Sequence, residues 1–278
     1  MSSSPPLRGV SQTLLWTLYL RAVDARSLRP VLGDPWAQRV LDQVDVDERR
    51  LALLQGDTRT IVTRGRELDR WTQEFLDAHP DGQVVSLACG LDSRVLRVRR
   101  PPTSTWTDVD LPDVVDLRRR VYDLPDDVRT IAASATDPSL WDDVPDDRPT
   151  LVVAEGLLMY LEPAAVRGLL DRLAARRAPG EVCFDAVGRW VLPLSRVLGV
   201  VARDDVRFRW SAGSARTLVR AHPGLVVRDD VPLTPMVARE AVPGPVGRVL
   251  AASTSLSPLA SAMRLVRLGF GTTSPSAT

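Results

Sequence analysis

The segment QVVSLACGLDSR, residues 83–94 of the 278-residue sequence, gives the clearest indication of the fold. Its first half, QVVSLA (83–88), is an apolar run of strand length, and Gly90 follows it just before a helical pattern. A strand that turns through a glycine into a helix is typical of a βαβ unit, in which ligands bind beyond the carboxyl end of the strand. The dinucleotide-binding signature G-x-G-x-x-G needs three glycines and this loop has one, so a plain strand-to-helix turn is an equal alternative for the loop taken alone.

Short apolar runs continue to alternate with helical patterns after this loop. Six more runs have the length of strands: STWTDVD (104–110), VRTIAA (128–133), TLVVAE (150–155), EVCFDAV (181–187), GLVVRDD (224–230) and MRLVRLGF (263–270). Helical patterns cover Pro112 to about Tyr122 and residues 163–177. Strands that alternate with helices are typical of a parallel sheet. The pattern therefore predicts an α/β, Rossmann-like fold, with a mostly parallel seven-stranded sheet flanked by helices.

The first 80 residues carry helical patterns and no strand signal. One helix is expected to begin near Asp34-Pro35, with Asp as the N-cap and Pro in the first turn, and another to run from about Asp57 to Leu76. We therefore expect two parts: a helical N-terminal extension or lid over 1–80, and a sheet domain over 81–278 with an insertion around 188–222 that shapes a substrate pocket.

The composition excludes several classes of partner. The 36 basic residues, all arginine, and the 35 acidic residues are interspersed, without the basic stripe that binding to nucleic acid requires. Cys89 and Cys183 belong to no C-x-x-C pair, so neither a metal site nor a disulfide framework is expected, and free thiols are typical of the cytoplasm. The most apolar stretch, Trp190 to Ala202, is interrupted by Pro193 and Arg196, so no contact with a membrane is expected.

Polar residues stand where the predicted strands end, and these positions predict a ligand. Asp110 ends the second strand twenty residues after Gly90, where a carboxylate can accept both hydroxyls of a ribose, although a helix cap before Pro112 is the alternative. Ser134 and Ala135 end the third strand, where polar atoms would face an adenine. In the same turn, Asp137 is as readily explained as a helix cap.

Two charged positions suggest that the ligand also contains an amino acid. Glu155 ends the fourth strand and can pair with an ammonium group, or with one of the many arginines. Arg64 or Arg66 can hold a carboxylate through two hydrogen bonds, although such a segment read alone is more often a solvated helix face. A nucleoside that carries an amino acid fits S-adenosylmethionine (SAM) better than NAD, whose pyrophosphate would need the missing glycines.

Four segments then resemble, in order, the motifs of the leucine carboxyl methyltransferase-like family: RAVDARSLRPVLGDPWA, VVSLACGLDSRVLRV, DVDLPDVVDLRRR and VVAEGLLMYLEP. That family includes SAM-dependent O-methyltransferases of bacterial polyketide biosynthesis. The resemblance implies a class I methyltransferase fold. It also implies the following cofactor-binding residues: Arg64, Ala88, Gly90, Asp110, Leu111, Ser134, Ala135 and Glu155. The sequence departs from the family pattern at Ala88 and Cys89, where the motif has Gly-Ala, and at Ser134, where the family often has Asp.

The scarcity of bases bears on the substrate. A carboxylate is ionised at neutral pH and needs no general base, whereas a phenol benefits from one. The sequence has no lysine and two histidines, of which His79 precedes the first strand and His222 lies in a predicted turn. We therefore expect methylation of a small polyketide-like or aromatic carboxylic acid to a methyl ester, by a monomer or homodimer. A phenol O-methyltransferase, an NAD-dependent oxidoreductase and a non-catalytic SAM-binding protein are the alternatives.

No residue stands out from its sequence context as catalytic. Tyr160 and Trp190 are candidates for the wall of the substrate pocket. Arg209, like Arg189 and Arg207, is a candidate receptor for an acidic substrate, although arginines in such positions more often lie on a solvated surface.

Overall fold

The computed structural model describes residues 10–44, 46–52, 58–198, 207–242, 244–255 and 258–271. Part of the insertion expected around 188–222, residues 199–206, therefore lies outside the described chain. Seven strands form one sheet: β1 (Gln83–Leu87), β2 (Thr105–Asp110), β3 (Val128–Ala132), β4 (Thr150–Ala154), β5 (Gly180–Val187), β6 (Val226–Pro232) and β7 (Met263–Phe270). All seven predicted strands are present within two residues of their expected bounds, which confirms the α/β fold.

The order of the strands places a crevice at the centre of the sheet. The order is β3-β2-β1-β4-β5-β7-β6, and the first five of these strands run parallel. The chain moves outward from β1 to β3 on one side and returns to start β4 on the other side of β1. At such a switch point the loops after β1 and β4 diverge and leave a crevice at the carboxyl edge of the sheet.

The last two strands differ from the others in direction. β7 lies between β5 and β6 and is antiparallel to both. Both of its faces are covered, because Leu265 and Leu268 lie three residues apart, point to opposite sides of the sheet and are both buried. Arg264 and Arg267 pair with Asp230 and Glu181 on the neighbouring strands.

Within the described ranges, eleven helices pack on both faces of the sheet and ahead of its first strand. Their bounds are α1 (Val10–Ala25), α2 (Ala37–Leu41), α3 (Glu48–Ala52), α4 (Thr58–Ala78), α5 (Arg94–Arg97), α6 (Pro112–Val121), α7 (Pro163–Ala174), α8 (Val191–Leu198), α9 (Ala215–Ala221), α10 (Leu233–Ala241) and α11 (Pro245–Ser255). Five of them, α3, α8, α9, α10 and α11, have no counterpart among the sequence predictions. Short 3-10 turns cover Pro138–Asp143, Leu158–Tyr160 and Pro258–Ser261.

Two apolar clusters, one on each face, hold the sheet to its helices. Val84 of β1 belongs to the same cluster as Trp71 of α4, and Val85 belongs to the cluster that contains Leu169 of α7. Successive residues of a strand face opposite sides, so a strand that is covered on both faces reads as a continuous apolar run. Burying a side chain of this size contributes about 1.5–3 kcal/mol, so these two layers supply the rigid frame for the crevice.

The candidate SAM site

A cavity of about 420 Å³ opens at the carboxyl edge of β1 to β4 and is covered by α1 and α4. Ten of the eleven candidate site residues line it: Arg64, Ala88, Gly90, Asp110, Leu111, Ser134, Ala135, Glu155, Tyr160 and Arg209. Trp190 is not among the lining residues. Its indole N–H donates to Ser261 Oγ at 3.0 Å, because the chain turns at the end of β5 toward the segment before β7. The expectation that Trp190 lines the pocket is therefore wrong for this conformation.

The loop after β1 has a left-handed backbone at two positions. Gly90 has φ 53°, and Ala88 has φ 51°, the one positive φ of a non-glycine residue in the described chain. Arg118 of α6 holds the loop from below, because its guanidinium donates to the carbonyl oxygens of Gly90 (3.1 Å) and Asp92 (2.6 Å). This loop is therefore fixed by its neighbours as well as by its own glycine.

Asp110 joins the end of β2 to this loop. One carboxylate oxygen accepts the N–H of Gly90 at 2.7 Å and the other accepts the N–H of Leu111 at 2.7 Å. Helix α6 has Leu111 at its N-cap and no side-chain cap, so the alternative that Asp110 caps this helix is not what the structure shows. Burial raises the pKa of Asp110, against the opposing effect of the two N–H groups. Each oxygen keeps a lone pair for a further donor.

The end of β3 is occupied by hydroxyl groups. Ser134 Oγ lies 2.8 Å from Thr136 Oγ1 and accepts the N–H of Thr136 at 3.2 Å, so its capacity for a ligand is reduced. Asp137 accepts the N–H of Ser139 at 2.9 Å and caps the 3-10 turn that begins at Pro138. The capping interpretation of Asp137 is therefore confirmed.

Glu155 lies in a buried cluster of ion pairs with Arg64 and Asp185. Arg64 Nε donates to Glu155 Oε1 at 3.0 Å, and Arg64 Nη1 donates to Asp185 Oδ2 at 2.8 Å. Burial by itself raises the pKa of Glu155, but Arg64, Arg94 and Arg21 outweigh it and lower that pKa to about 2. Asp185 also accepts the N–H of Gly156 at 2.6 Å, so it holds both Arg64 and the turn after β4 in place.

The same cluster extends to α5 and the loop before it. Arg94 Nη2 donates to Glu155 Oε2 at 2.5 Å and Arg94 Nε donates to Asp69 of α4 at 2.7 Å. Arg97 donates to Asp69 at 2.7 Å and to Asp92 at 2.8 Å. Burial raises the pKa of the Asp92 carboxyl, but the surrounding arginines Arg21, Arg94 and Arg97 outweigh this and hold the pKa well below its usual range. The N-terminal helices are thus tied to the loop after β1 by charge-assisted hydrogen bonds.

Arg21 of α1 has an unused hydrogen-bond donor at the cavity. Its side chain is 6% exposed, and its Nη atoms lie 3.2 Å from Asp92 Oδ1 and 3.5 Å from Glu155 Oε1. Its buried Nε has no hydrogen-bond partner. An unpaired buried N–H is costly, so this donor is a polar group that the described residues leave unsatisfied.

The two alternatives for the cofactor carboxylate differ in position. Arg64 lines the cavity, whereas Arg66 does not, and Arg66 pairs instead with Glu240 of α10 at 2.8 Å. Sequence reasoning missed Arg21, Arg94 and Asp185 as residues of the site. For Asp185 the sequence did contain a signal. A charged residue inside an apolar strand, such as Asp185 in EVCFDAV, must be paired when it is buried.

Neither histidine lies at the cavity. His222 Nδ1 is 2.6 Å from Asp171 of α7, and His79 contacts the ring of Phe75 at the other end of β1. Within the described part of the chain no group of side chains is arranged to hold a metal ion. None of the described helices is long and apolar enough to cross a membrane.

Comparison with known proteins identifies the family. A family model described as leucine carboxyl methyltransferase matches residues 15–174. The chain belongs to the leucine carboxyl methyltransferase family. TcmP, a tetracenomycin polyketide synthesis O-methyltransferase from Streptomyces glaucescens, is 44% identical over 225 residues, which are 81% of this chain and 83% of that protein. The SAM-dependent methyltransferase dpfgK from Gibberella zeae is 35% identical over 245 residues, 80% of this chain and 82% of that protein.

Membership of the leucine carboxyl methyltransferase family confirms the predicted enzyme class, a SAM-dependent O-methyltransferase, and its cofactor. Solved structures support the fold. A protein from Thermobifida fusca assigned as a methyltransferase superposes with a TM-score of 0.55 at 18% identity, over 91% of this chain and 94% of that one. An O-methyltransferase family protein from Burkholderia thailandensis superposes with a TM-score of 0.50 at 17% identity, over 95% and 71%.

Proposed function

We propose that this enzyme methylates the carboxylate of a small polyketide-like or aromatic acid and so forms a methyl ester. One observation supports the carboxylate above all: the described lining of the cavity contains no histidine, and the sequence has no lysine. A carboxylate is already ionised at neutral pH, so it needs no base to become a nucleophile. The relationship to TcmP, which acts in tetracenomycin polyketide synthesis, supports the substrate class.

The polar groups of the cavity suit SAM. We assign the ribose hydroxyls to the free lone pairs of Asp110, and the adenine to the turn at Ser134 and Ala135. The backbone around Ala88 and Gly90, with Leu111 opposite, approaches the nucleoside closely. Bound SAM supplies a methyl group that is already activated by its sulfonium.

The amino-acid end of SAM falls at the ion-pair cluster. Glu155 would accept from the ammonium group, while Arg64 and Arg21, which both line the cavity, would be the donors to the carboxylate. Arg64 is the weaker donor of the two, because Glu155 and Asp185 already engage its Nε and Nη1.

The remaining task of the chain is to align the acceptor and to exclude water. Leu14 and Trp16 of α1, Ile61 of α4 and Leu157 after β4 form an apolar wall around the polar groups. We propose that the N-terminal helices act as the lid that provides this dry environment, and that Tyr160 borders the acceptor. Burial raises the pKa of Tyr160 to about 12, so its phenol stays protonated and donates a hydrogen bond instead of acting as a base.

A substrate with both possible acceptors separates the ester from the ether. We expect SAM and 6-hydroxy-2-naphthoate to give the methyl ester, detected by mass spectrometry and lost on mild alkaline hydrolysis. A methylated product that survives the same treatment is an aryl ether. It would overturn the proposal in favour of phenol methylation on the same scaffold.

We further propose that the enzyme works in the cytoplasm, as a monomer or homodimer, on a small molecule and not on nucleic acid. Cys89 and Cys183 are both buried and unbonded, which suits a reducing compartment. Light scattering of the purified protein, with and without added DNA, would test the oligomeric state and the absence of a nucleic-acid complex.

A further inference from the structure

Arg209 differs from the other cations that line the described part of the cavity. The side chains of Arg21, Arg64 and Arg94 are 2–7% exposed and pair with buried acids. The side chain of Arg209 is 49% exposed and stands at the mouth. Its charge is therefore the one that an entering molecule meets first.

The backbone holds Arg209 firmly at this point. The N–H groups of Arg209 and Trp210 both donate to the carbonyl oxygen of Met159, at 2.8 and 3.2 Å. Next to them the rings of Phe208 and Tyr160 lie 5.5 Å apart, centre to centre. Arg209 is therefore fixed next to the 3-10 turn that carries Tyr160, and both residues line the cavity.

Glu162 is the ion-pair partner of Arg209. It is the N-cap residue of α7, yet its side chain makes no capping hydrogen bond and pairs instead with the guanidinium of Arg209. Its side chain is 62% exposed. An exposed ion pair of this kind contributes little to stability, so another anion can displace Glu162 at small cost.

We propose that Arg209 receives an anionic group of the substrate that is not the methyl acceptor, and that Glu162 is the counter-ion which gives way to it. The acceptor must lie where water is excluded, whereas Arg209 is half in solvent, so the two groups are separate. This inference deepens the proposed function and rests on it. The substrate class becomes an aromatic acid with a second anionic group some distance from the carboxylate that is methylated.

Two probes of the same shape test this inference by calorimetry on protein saturated with S-adenosylhomocysteine: 2-naphthoate and naphthalene-2,6-dicarboxylate. We expect the dianion to bind the wild type about fivefold more tightly than the monoanion, as a charge-assisted pair at a half-exposed site allows. Arg209→Gln should remove this preference. Glu162→Gln should widen it about threefold, because the competing carboxylate is gone.

Arg129→Gln is the matched control. Arg129 and Asp143 form a pair of the same exposure, 51% and 57%, outside the described lining of the cavity, so this variant should bind both probes as the wild type does. The inference is overturned if the wild type binds neither probe or binds both equally, or if Arg209→Gln keeps the preference. The measurement detects binding and not methylation, so it stands even if the product proves to be an ether.

Discussion

Ala88 stands in a backbone conformation that glycine adopts more easily, and the family motif has glycine at this point of the loop. Its φ of 51° brings a β-carbon close to the backbone. The left-handed conformation costs an L-residue roughly 1–2 kcal/mol. Glycine would avoid this cost, but part of the gain is offset because its unfolded chain is more flexible and loses more entropy on folding. The strain falls on the loop after β1, which lines the cavity.

Ala88→Gly should therefore stabilise the protein by about 0.5–1 kcal/mol, because relief of strain exceeds the entropy cost. Urea unfolding of both proteins measures the difference. Ala175→Gly is the control, since Ala175 is exposed with φ −85° and gains nothing from glycine. A loss of stability in Ala88→Gly as large as that in the control would show that Ala88 is not strained.

Asp110 carries two tasks on one carboxylate, since it already holds the N–H groups of Gly90 and Leu111. Asp110→Ala should weaken binding of S-adenosylhomocysteine at least tenfold, because two ribose hydroxyls and the N–H of Gly90 lose their acceptor. Calorimetry measures the affinity. Asp113→Ala, an exposed change in the first turn of α6, should leave it unchanged. Equal affinity of Asp110→Ala and the wild type would remove Asp110 from the ribose site.

At the scale of elements, the N-terminal helices are joined to the loop after β1 by ion pairs as well as by apolar contacts. Arg21 comes from α1, Arg64 and Asp69 from α4, and Arg94 from α5, and their partners Asp92 and Glu155 follow β1 and β4. Removing one member of such a buried set leaves an uncompensated charge and costs about 3–5 kcal/mol. The position of the N-terminal helices and the charge state of this cluster are therefore coupled.

This coupling predicts how stability depends on pH. The pKa of Glu155 is lowered from 4.5 to about 2 in the folded protein, so its ion pairs contribute fully above pH 4.5 and lose their contribution as the pH falls toward 2. The free energy of unfolding of Glu155→Gln should therefore differ from that of the wild type most at pH 6 and least near pH 3. Urea unfolding at several pH values measures this difference.

Asp143→Asn serves as the comparison for this titration, because Asp143 pairs with Arg129 on the surface, where both side chains are more than half exposed. It should change stability little at any pH. A gap between wild type and Glu155→Gln that stays constant from pH 6 to pH 3 would show that Glu155 is not held in its charged form by the arginines.

For the whole molecule, the cofactor should act as part of the fold. A ligand at a hundred times its dissociation constant adds about 2.7 kcal/mol to stability, which corresponds to a rise of about 5–10 °C in Tm for a domain of this size. We expect S-adenosylhomocysteine to produce such a rise and NAD to produce none, as differential scanning fluorimetry would detect. A rise with NAD alone would return the oxidoreductase alternative to consideration.

Local patterns in the sequence are enough to predict the strands, the loop after β1 and ten of the residues that line the cavity. Strand length, turn residues and helical period are local properties of the chain, so QVVSLA and the runs after it could be placed without a structure. Parallel strands also end at one edge of a sheet. The proximity of Gly90, Asp110, Ser134 and Glu155 could therefore be predicted from the sequence.

Which arginine pairs with which carboxylate depends on the three-dimensional fold. Thirty-six arginines offer many partners for each carboxylate, and the pairs Arg64–Asp185, Arg94–Asp69 and Arg209–Glu162 join residues 25 to 121 positions apart. Two further features depend on distant contacts in the same way. They are the antiparallel position of β7 between β5 and β6 and the contact of Trp190 with Ser261. Local sequence patterns do not specify such distant contacts, because these depend on how all the elements pack at once.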